Sequence, residues 1–199
     1  MSDSQPSLRD RTRRAVQKEI GDAALNLFVS RGYDATTIDD IAAAVGMSPR
    51  SVFRYFATKE EIVVGKLKIG AEEMLDILRA RPSDEPVWTS LRRLFDIVDR
   101  PDHQQIMKPI QRVVFETPAL LAAYLQNLHS LQDAVAKVLL GRARAAGTAY
   151  ARDDPTPRAL TGAAFGCLVA AQQAWGASRT TDSLSTYIDR AMATIAPRM

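Results

Sequence analysis

The amino-acid sequence predicts an all-α fold, and three observations support this prediction. Apolar residues recur at three- and four-residue spacing through most of the 199 positions, which is the period of one face of an α-helix. The ten glycines and ten prolines fall mostly between these periodic segments, where such residues begin and end helices. No segment shows the strict alternation of apolar and polar residues that indicates a β-strand.

The expected architecture is an N-terminal three-helix head over residues 1–60, joined by a long helix to a helical C-terminal bundle within residues 61–199. The first helix is predicted from about Thr12 to Ser30. One of its faces is apolar and is formed by Val16, Ile20, Ala23, Leu27 and Phe28. That face would pack against the two short helices that follow.

A cluster of basic residues lies at the N-terminal side of this helix. Its members are Arg9, Arg11, Arg13, Arg14 and Lys18. The net charge of the chain is only +3, so the placement of these residues matters more than overall basicity. The cluster suits contacts with nucleic-acid phosphates. For Arg9 and Arg11, a solvated tail is an equal alternative.

Residues 37–60 contain two short helices, a tight turn and the start of a third helix. Thr37 is expected to cap the first helix, with Asp40 as its reciprocal partner. Gly46 supplies a left-handed residue that ends this helix, and Ser48-Pro49 provide the N-cap and first position of the next. Two helices joined in this way indicate a helix-turn-helix, whose second helix can enter a DNA major groove.

This segment resembles the signature of TetR-family transcriptional regulators, which typically reads G-[VIM]-S-x-G-x-[LF]-Y-x-[HY]-F-x-x-K-E. The residues that carry the resemblance are Gly46, Ser48, Phe53, Tyr55, Phe56, Lys59 and Glu60. The resemblance covers roughly residues 12–65. An ordinary pair of antiparallel helices inside a bundle is the alternative interpretation.

The resemblance implies a DNA-binding surface on the head. The predicted DNA-binding residues are Thr37, Ser48, Pro49, Arg50, Ser51, Arg54, Tyr55 and Lys59. Within this set, the family motif assigns phosphate contacts to Thr37, Ser48, Tyr55 and Lys59. Base contacts are expected from Arg50, Ser51 and Arg54, because they lie on the helix that enters the groove.

Two positions depart from the family pattern. Arg50 stands where the family often has glycine, and arginine there can pair with guanine O6 and N7. A contact to phosphate alone is the alternative for Arg50. Phe53 stands where the family has tyrosine, so a hydroxyl that commonly reaches DNA phosphate is absent.

Thr58 and Glu61 form the pattern of a capping box, which predicts a long helix from there to about Arg81. The resemblance implies that this helix links a distant ligand site to the head. Further helices are predicted over 85–98, 102–115, 117–147, 157–178 and 182–196, with a kink at Pro109.

The helix predicted over 157–178 is rich in small residues. They are Gly162, Ala163, Ala164, Gly166, Ala170, Ala171, Ala174 and Gly176. Each interior glycine costs about 1 kcal/mol relative to alanine, so close approach of another helix is expected. The resemblance implies that the last two helices form a homodimer interface, and a tight contact within one chain is the alternative. A homodimer would read a pseudo-palindromic double-stranded DNA operator.

The resemblance also implies a cavity for a small-molecule effector in the bundle. The predicted lining residues are Trp88, Phe95, Met107, Phe115, Tyr124, Phe165 and Trp175, with Arg112 and Gln172 to orient a polar end of the ligand. Each aromatic could instead be ordinary core. Four segments are similar to a TetR subgroup with an acyl-CoA-like ligand-binding C-terminal domain, namely residues 53–56, residues 58–61, Val87-Trp88 and residues 117–120.

Catalytic, metal and cofactor sites are not expected. His103 and His129 lack partners at metal-ligand spacing, and phosphate-binding loops are absent. The one cysteine, Cys167, precludes an internal disulfide and is expected to be a small buried hydrophobe. Without a membrane-length apolar run or the apolar centre of a signal peptide, the protein is expected to be cytoplasmic.

The sequence therefore predicts a homodimeric repressor that a small hydrophobic or acyl-type ligand releases from its operator. Two alternatives remain at this stage. One is a TetR-like activator, or a repressor, that has no small-molecule effector. The other is an all-α ligand carrier or enzyme without specific DNA binding.

Overall fold

The computed structural model of the protein describes residues 7–68, 71–99 and 101–196. The elements among these residues are α1 (Leu8–Arg31), α2 (Ile38–Ala44), α3 (Pro49–Phe53), α4 (Lys59–Lys68), α5 (Ala71–Ala80), α6 (Val87–Leu94), a short 3-10 helix (Phe95–Asp99), α7 (Pro101–Glu116), α8 (Pro118–Ala145), α9 (Thr156–Ala177) and α10 (Leu184–Ile195). No strand occurs in these ranges, so the predicted all-α class is confirmed.

Helix α1 begins earlier than the sequence pattern indicated. It starts at Leu8, and Thr12 lies one turn inside it. The Thr12 hydroxyl donates to the Leu8 carbonyl at 2.9 Å. Because this bond is satisfied within the helix, Thr12 is an interior residue and not the start.

The long helix predicted from Thr58 to Arg81 is described as two segments, α4 and α5, and residues 69–70 lie outside the described residues. At its start, the Glu61 amide donates to the Thr58 hydroxyl at 3.1 Å, as a capping box requires. The Glu61 carboxylate accepts from the Ala57 amide at 2.7 Å, one residue before the expected partner. Both bonds fix the point where α4 begins.

The head core is the part of the buried cluster where α2 and α4 pack against α1 and where α3 packs against α2. Its fully buried side chains include Ile20 and Phe28 of α1, Ile41 of α2 and Val52 of α3. Helix α4 packs against both α1 and α8, so it joins the head to the rest of the protein.

The C-terminal bundle is centred on α8 and α9, with α7 and α10 packed against α9. Phe95, Leu120, Phe165 and Ile188 are fully buried within it. No helix in the described ranges combines the length and apolarity that a membrane span requires.

Candidate nucleic-acid interface and effector region

Local hydrogen bonds set the start of α2. The Thr37 hydroxyl accepts from the Asp40 amide at 3.1 Å, and the Asp40 carboxylate accepts from the Thr37 amide at 2.8 Å. The predicted capping box is therefore present. The hydrogen bond from the Thr37 hydroxyl lowers the pKa of Asp40. Thr37 is exposed, but its hydroxyl is already occupied by this cap.

The turn between α2 and α3 depends on one glycine. Gly46 has a φ of +65°, and a Cβ built on it would meet nothing within 4 Å. Its backbone conformation, and not a lack of space, is what requires glycine. The Met47 amide donates to the Ala42 carbonyl at 2.9 Å and the Gly46 amide to the Ala43 carbonyl at 3.2 Å, which is the Schellman arrangement.

The predicted start of α3 is confirmed, since Ser48 is its N-cap and Pro49 its first residue. The Ser48 hydroxyl accepts from the Ser51 amide at 3.2 Å. Val52 points into the head core, whereas Pro49, Arg50, Phe53 and Arg54 are exposed.

The exposed face of α3 carries two arginines and an aromatic ring. Arg50 lies in the first turn and has no hydrogen bond or ion pair with the described part of the chain. Phe53 is 53% exposed, which is unusual for so large an apolar side chain. This face therefore offers a charged donor and an apolar surface to a partner molecule.

Tyr55 connects this face to the basic cluster on α1. The guanidinium carbon of Arg13 lies 5.7 Å from the centroid of the Tyr55 ring, and that of Arg54 lies 5.9 Å from it. The Gln17 side-chain amide also donates to the Tyr55 carbonyl at 3.4 Å. Cations from α1 and from the end of α3 thus converge on one aromatic side chain.

Lys59 is placed differently from the other predicted DNA-binding residues. Its ammonium donates to the Tyr33 carbonyl at 2.8 Å and to the Thr36 carbonyl at 3.0 Å. It also lies 3.9 Å from the centroid of the Tyr33 ring. The neighbouring Glu60 carboxylate accepts a hydrogen bond from the Tyr33 hydroxyl. Tyr33 and Thr36 were not predicted as site residues, because Lys59 and Glu60 are distant from them in the sequence.

Comparison with known families matches both parts of the chain. Residues 20–64 match the family model described as bacterial regulatory proteins of the tetR family. Residues 85–199 match the model described as the MftR C-terminal domain. The chain belongs to the TetR family. It is thus a DNA-binding transcriptional regulator with a helix-turn-helix head.

Relatives of this TetR-family regulator are also named as regulators. The transcriptional regulator TcmR of Streptomyces glaucescens is 28% identical over 98% of this chain and 88% of its own length. MftR of Mycobacterium tuberculosis, named for mycofactocin biosynthesis, is 26% identical over 83% of this chain and 82% of its own. These names belong to a non-enzymatic family, in agreement with the prediction that the protein is not an enzyme.

A solved structure shares the fold across both parts. FadR of Bacillus subtilis in complex with stearoyl-CoA has a TM-score of 0.60 at 16% identity. The alignment covers 88% of this chain and 95% of that one. At this identity the comparison supports the fold alone.

Several residues predicted to line an effector cavity are packed as core. Phe95 and Phe165 are fully buried, with ring centroids 5.4 Å apart in an edge-to-face contact. The Trp175 indole donates to the Asp182 carbonyl at 2.9 Å, which fixes the end of α9. Met107 is also buried. Their packing corresponds to the ordinary-core alternative considered for the sequence.

A second group of predicted residues meets between α7, α8 and α9. The Tyr124 hydroxyl donates to the Gln172 side-chain oxygen at 2.6 Å, and both residues are buried. The Phe115 ring contacts the Tyr124 ring edge to face, with centroids 6.1 Å apart. Burial raises the pKa of Tyr124. The three residues form one polar and aromatic cluster inside the bundle.

The placement of Arg112 corrects a prediction. Its side chain is 70% exposed and pairs with Glu116 at 3.0 Å on the outer face of α7. It therefore does not point into the bundle, where it was expected to orient a ligand. Gln111, one residue earlier, takes the inward position and is only 3% exposed. Sequence reasoning missed Gln111, although it lies among the apolar residues of the same helix.

Gln111 is unusual because neither polar atom of its side-chain amide has a hydrogen-bond partner among the described residues. Buried polar atoms in proteins almost always have one.

Trp88 lies apart from these residues, beside an open groove of about 450 Å³ that also involves Arg92 and Asp189. The predicted ligand-binding residues therefore do not all line one site.

The small residues of α9 lie on two faces, since Ala164 and Ala171 are buried and Gly166, Ala170 and Ala174 are exposed. A Cβ built on Gly162 or Gly166 would meet nothing within 4 Å. A Cβ on Gly176 would lie 3.9 Å from the Arg112 amide nitrogen, which is ordinary van der Waals contact. A tight contact inside one chain therefore does not explain Gly162 and Gly166.

The remaining candidate groups provide no metal site in the part of the chain that the structure describes. His129 is exposed on α8, and the side chain of His103 lies outside the described residues. Cys167 is buried, and burial raises the pKa of its thiol. This environment fits a small hydrophobe more than a reactive thiol.

Proposed function

We propose that this TetR-family regulator is a homodimeric repressor of a pseudo-palindromic operator and that a small hydrophobic or acyl-type ligand releases it. The observation that carries the DNA-binding part is the convergence of Arg13 and Arg54 on Tyr55 beside the exposed face of α3. Cations from two helices then face the same duplex, which supplies the electrostatic component of binding.

Base recognition is assigned to the exposed residues of α3. Arg50 lies in the first turn, the part of a recognition helix nearest the base edges, with Ser51 and Arg54 beside it. Phosphate contacts are assigned to Tyr55 and to the helix starts at Thr37 and Ser48. The hydroxyls at both starts already make capping bonds, so their phosphate contacts would be secondary.

The homodimer is proposed through the outward face of α9, together with α10. Gly162 and Gly166 leave that face open, and the exposed Ala170 and Ala174 continue it. A second copy would explain why helix-weakening glycines face away from the bundle. Two copies would also present two α3 helices to successive half-sites.

The effector is proposed to bind near α7, with Gln111 as its polar anchor. An amide without a partner costs about 1–3 kcal/mol when buried, and a ligand that bonds to it would remove this cost. The ligand releases DNA only if it prefers the non-binding arrangement of the protein. The stearoyl-CoA complex of a protein with the same fold suggests an acyl-type ligand.

A second candidate is a regulator without a small-molecule effector. The close packing of Phe95 against Phe165 favours it, because these residues leave no space between them for a ligand. In this case the bundle would serve dimerisation and stability only.

The test is fluorescence anisotropy of the purified protein on DNA from its own upstream region, at two salt concentrations and against scrambled competitor. Specific binding that weakens with salt but survives competitor is expected. Binding that any competitor DNA removes equally, or no binding at either salt concentration, would contradict specific recognition of this operator. Stearoyl-CoA then serves as the first effector probe. Release by this probe supports the acyl-responsive repressor, and no response to any acyl chain length favours the second candidate.

A further inference from the structure

The turn between α1 and α2 lies against the first residues of α4. It begins at Gly32, whose φ is +88°. Inside it, the Thr36 hydroxyl donates to the Gly32 carbonyl at 2.8 Å and the Thr36 amide to the Tyr33 carbonyl at 3.3 Å. Thr36 is directly followed by Thr37, the N-cap of α2. Whatever fixes this turn therefore also fixes the position of α2, and with it α3.

Lys59 contacts the turn with most of its hydrogen-bonding capacity. A lysine ammonium has three donors, and two of those in Lys59 are directed at the Tyr33 and Thr36 carbonyls. The same ammonium lies over the Tyr33 ring, which adds a cation–π contact. A lysine used in this way has one donor left for a DNA phosphate.

Glu60 holds the other end of the same tyrosine. The Tyr33 hydroxyl donates to the Glu60 carboxylate, and this bond lowers the pKa of Glu60. Tyr33 is only 8% exposed, and its ring lies 5.0 Å from that of Phe28 in the head core. The turn is therefore held between the core of the head and two consecutive residues of α4.

We infer that Lys59 is a positioning residue, which clamps the α1–α2 turn to the start of α4 and thereby sets α2 and α3 on the DNA. The family motif instead implies a phosphate contact for Lys59. The inference rests on the proposed reading of DNA by α3. The same contacts couple α4 to the head, because a shift of the first turn of α4 would move Tyr33 and Thr36 with it.

The two roles differ in their dependence on salt. A lysine that neutralises a phosphate releases counterions, so its removal lowers the slope of log K against log salt by about 1. A clamp acts through geometry, so its removal weakens binding without changing that slope. Arg14→Ala is the matched control, because Arg14 is an exposed cation of the α1 basic cluster, which suits contacts with phosphates.

The experiment measures operator affinity by anisotropy at several salt concentrations for the full chain, Lys59→Met and Arg14→Ala. Lys59→Met is expected to weaken binding about tenfold with an unchanged slope, since it removes two charged hydrogen bonds. Arg14→Ala is expected to reduce the slope by about 1. A reduced slope for Lys59→Met would overturn the clamp and leave the proposed function standing. Absence of specific binding by the unaltered protein would instead refute the proposed function.

A further variant separates positioning from general stability. All affinities are measured at a temperature at which circular dichroism shows each variant fully folded. Tyr33→Phe removes the bond to Glu60, and the double variant Tyr33→Phe/Lys59→Met is expected to bind little worse than Lys59→Met alone. Residues of one cluster couple in this way, whereas Arg14→Ala and Lys59→Met should combine independently. Unchanged affinity of folded Lys59→Met would show that the contacts serve stability only and would overturn the inference.

Discussion

The helix starts on the DNA-binding surface and the buried polar side chains of the bundle have their partners at different distances along the chain. In the head, Thr37 pairs with Asp40 and Ser48 with Ser51, each three residues apart. In the bundle, Tyr124 reaches Gln172 across 48 residues, and Gln111 has no partner among the described residues. The starts of α2 and α3 are therefore determined locally, whereas the contacts of Lys59 with the α1–α2 turn join residues 26 and 23 positions apart. Gln111 is the residue to which the proposed effector would bond.

The test with the largest expected effect asks whether one head binds the operator without a second copy of the chain. Gly166→Arg places a long cation on the outward face of α9, where a Cβ meets open space. We expect a monomer whose operator affinity is lower by about a hundredfold or more, because linking two heads provides gains of this order. Light scattering with size-exclusion chromatography gives the mass, and anisotropy gives the affinity.

Gly141→Arg is the matched control for this prediction. Gly141 is also an exposed glycine within a helix, and a Cβ there likewise meets nothing within 4 Å. It lies on α8, outside the proposed interface. A Gly166→Arg protein that remains dimeric, or a Gly141→Arg protein that also dissociates, would contradict the placement of the interface on α9.

The second test concerns what the head reads. Arg50→Ala is expected to weaken operator binding by roughly 1–3 kcal/mol, or about 5- to 150-fold, and to relax preference at one base pair in each half-site. The measurement is competition with operators that carry single base changes. Arg14→Ala provides the contrast, because an exposed arginine of α1 should lower all affinities together. If Arg50→Ala lowered the affinity equally for every operator, Arg50 would contact phosphate and not a base.

The third test concerns Gln111, the proposed polar anchor of the effector in the bundle. Gln111→Leu removes a buried amide without a partner, so we expect the free energy of unfolding to rise by about 1–3 kcal/mol. The melting temperature should increase by about 2–4 °C for each kcal/mol. Response to a ligand that releases the unaltered protein from DNA should be lost in the same variant.

Gln126→Leu is the control for this prediction, since Gln126 is exposed on α8 and its substitution should change neither property. A destabilised Gln111→Leu protein would mean that the amide has a partner in solution. A stabilised protein with an intact ligand response would leave Gln111 as an unfavourable group and remove it from the effector site.

The same contrast explains how much could be predicted from sequence. The capping box at Thr37, the left-handed Gly46 and the Ser48-Pro49 start were all predictable, because each depends on residues within a few positions. The role of Lys59 was not, since its acceptors lie 23 and 26 residues away and are backbone carbonyls. Every residue has a backbone carbonyl, so the residue types do not indicate which carbonyls accept a hydrogen bond from Lys59.

In the bundle, the difficulty was the rotation of the helix. Successive residues of an α-helix are turned by about 100°, so an error of one position moves a side chain from the interior to the surface. The prediction took Arg112 as the polar residue facing inward, and the structure places Gln111 there. Similarly, Phe95 and Phe165 were predicted to line an effector cavity or to be ordinary core, and the sequence did not indicate that they contact each other. Contacts between side chains of different helices depend on how those helices pack, and the spacing of apolar residues along one helix does not describe this packing.

The smallest expected effect returns to the head, at its departure from the family pattern. Phe53 is 53% exposed beside Arg50 and Arg54, and the family has tyrosine at this position. Phe53→Tyr should strengthen operator binding by a few-fold, because one neutral hydrogen bond to phosphate contributes about 0.5–1.5 kcal/mol. The salt slope should not change, since a hydroxyl releases no counterion. Weaker binding by Phe53→Tyr, measured by anisotropy on the same operator, would instead indicate that the ring makes an apolar contact such as one with a thymine methyl group. In that case phenylalanine at position 53 would contribute to the sequence preference of the head, and its role would not be only the loss of a phosphate contact.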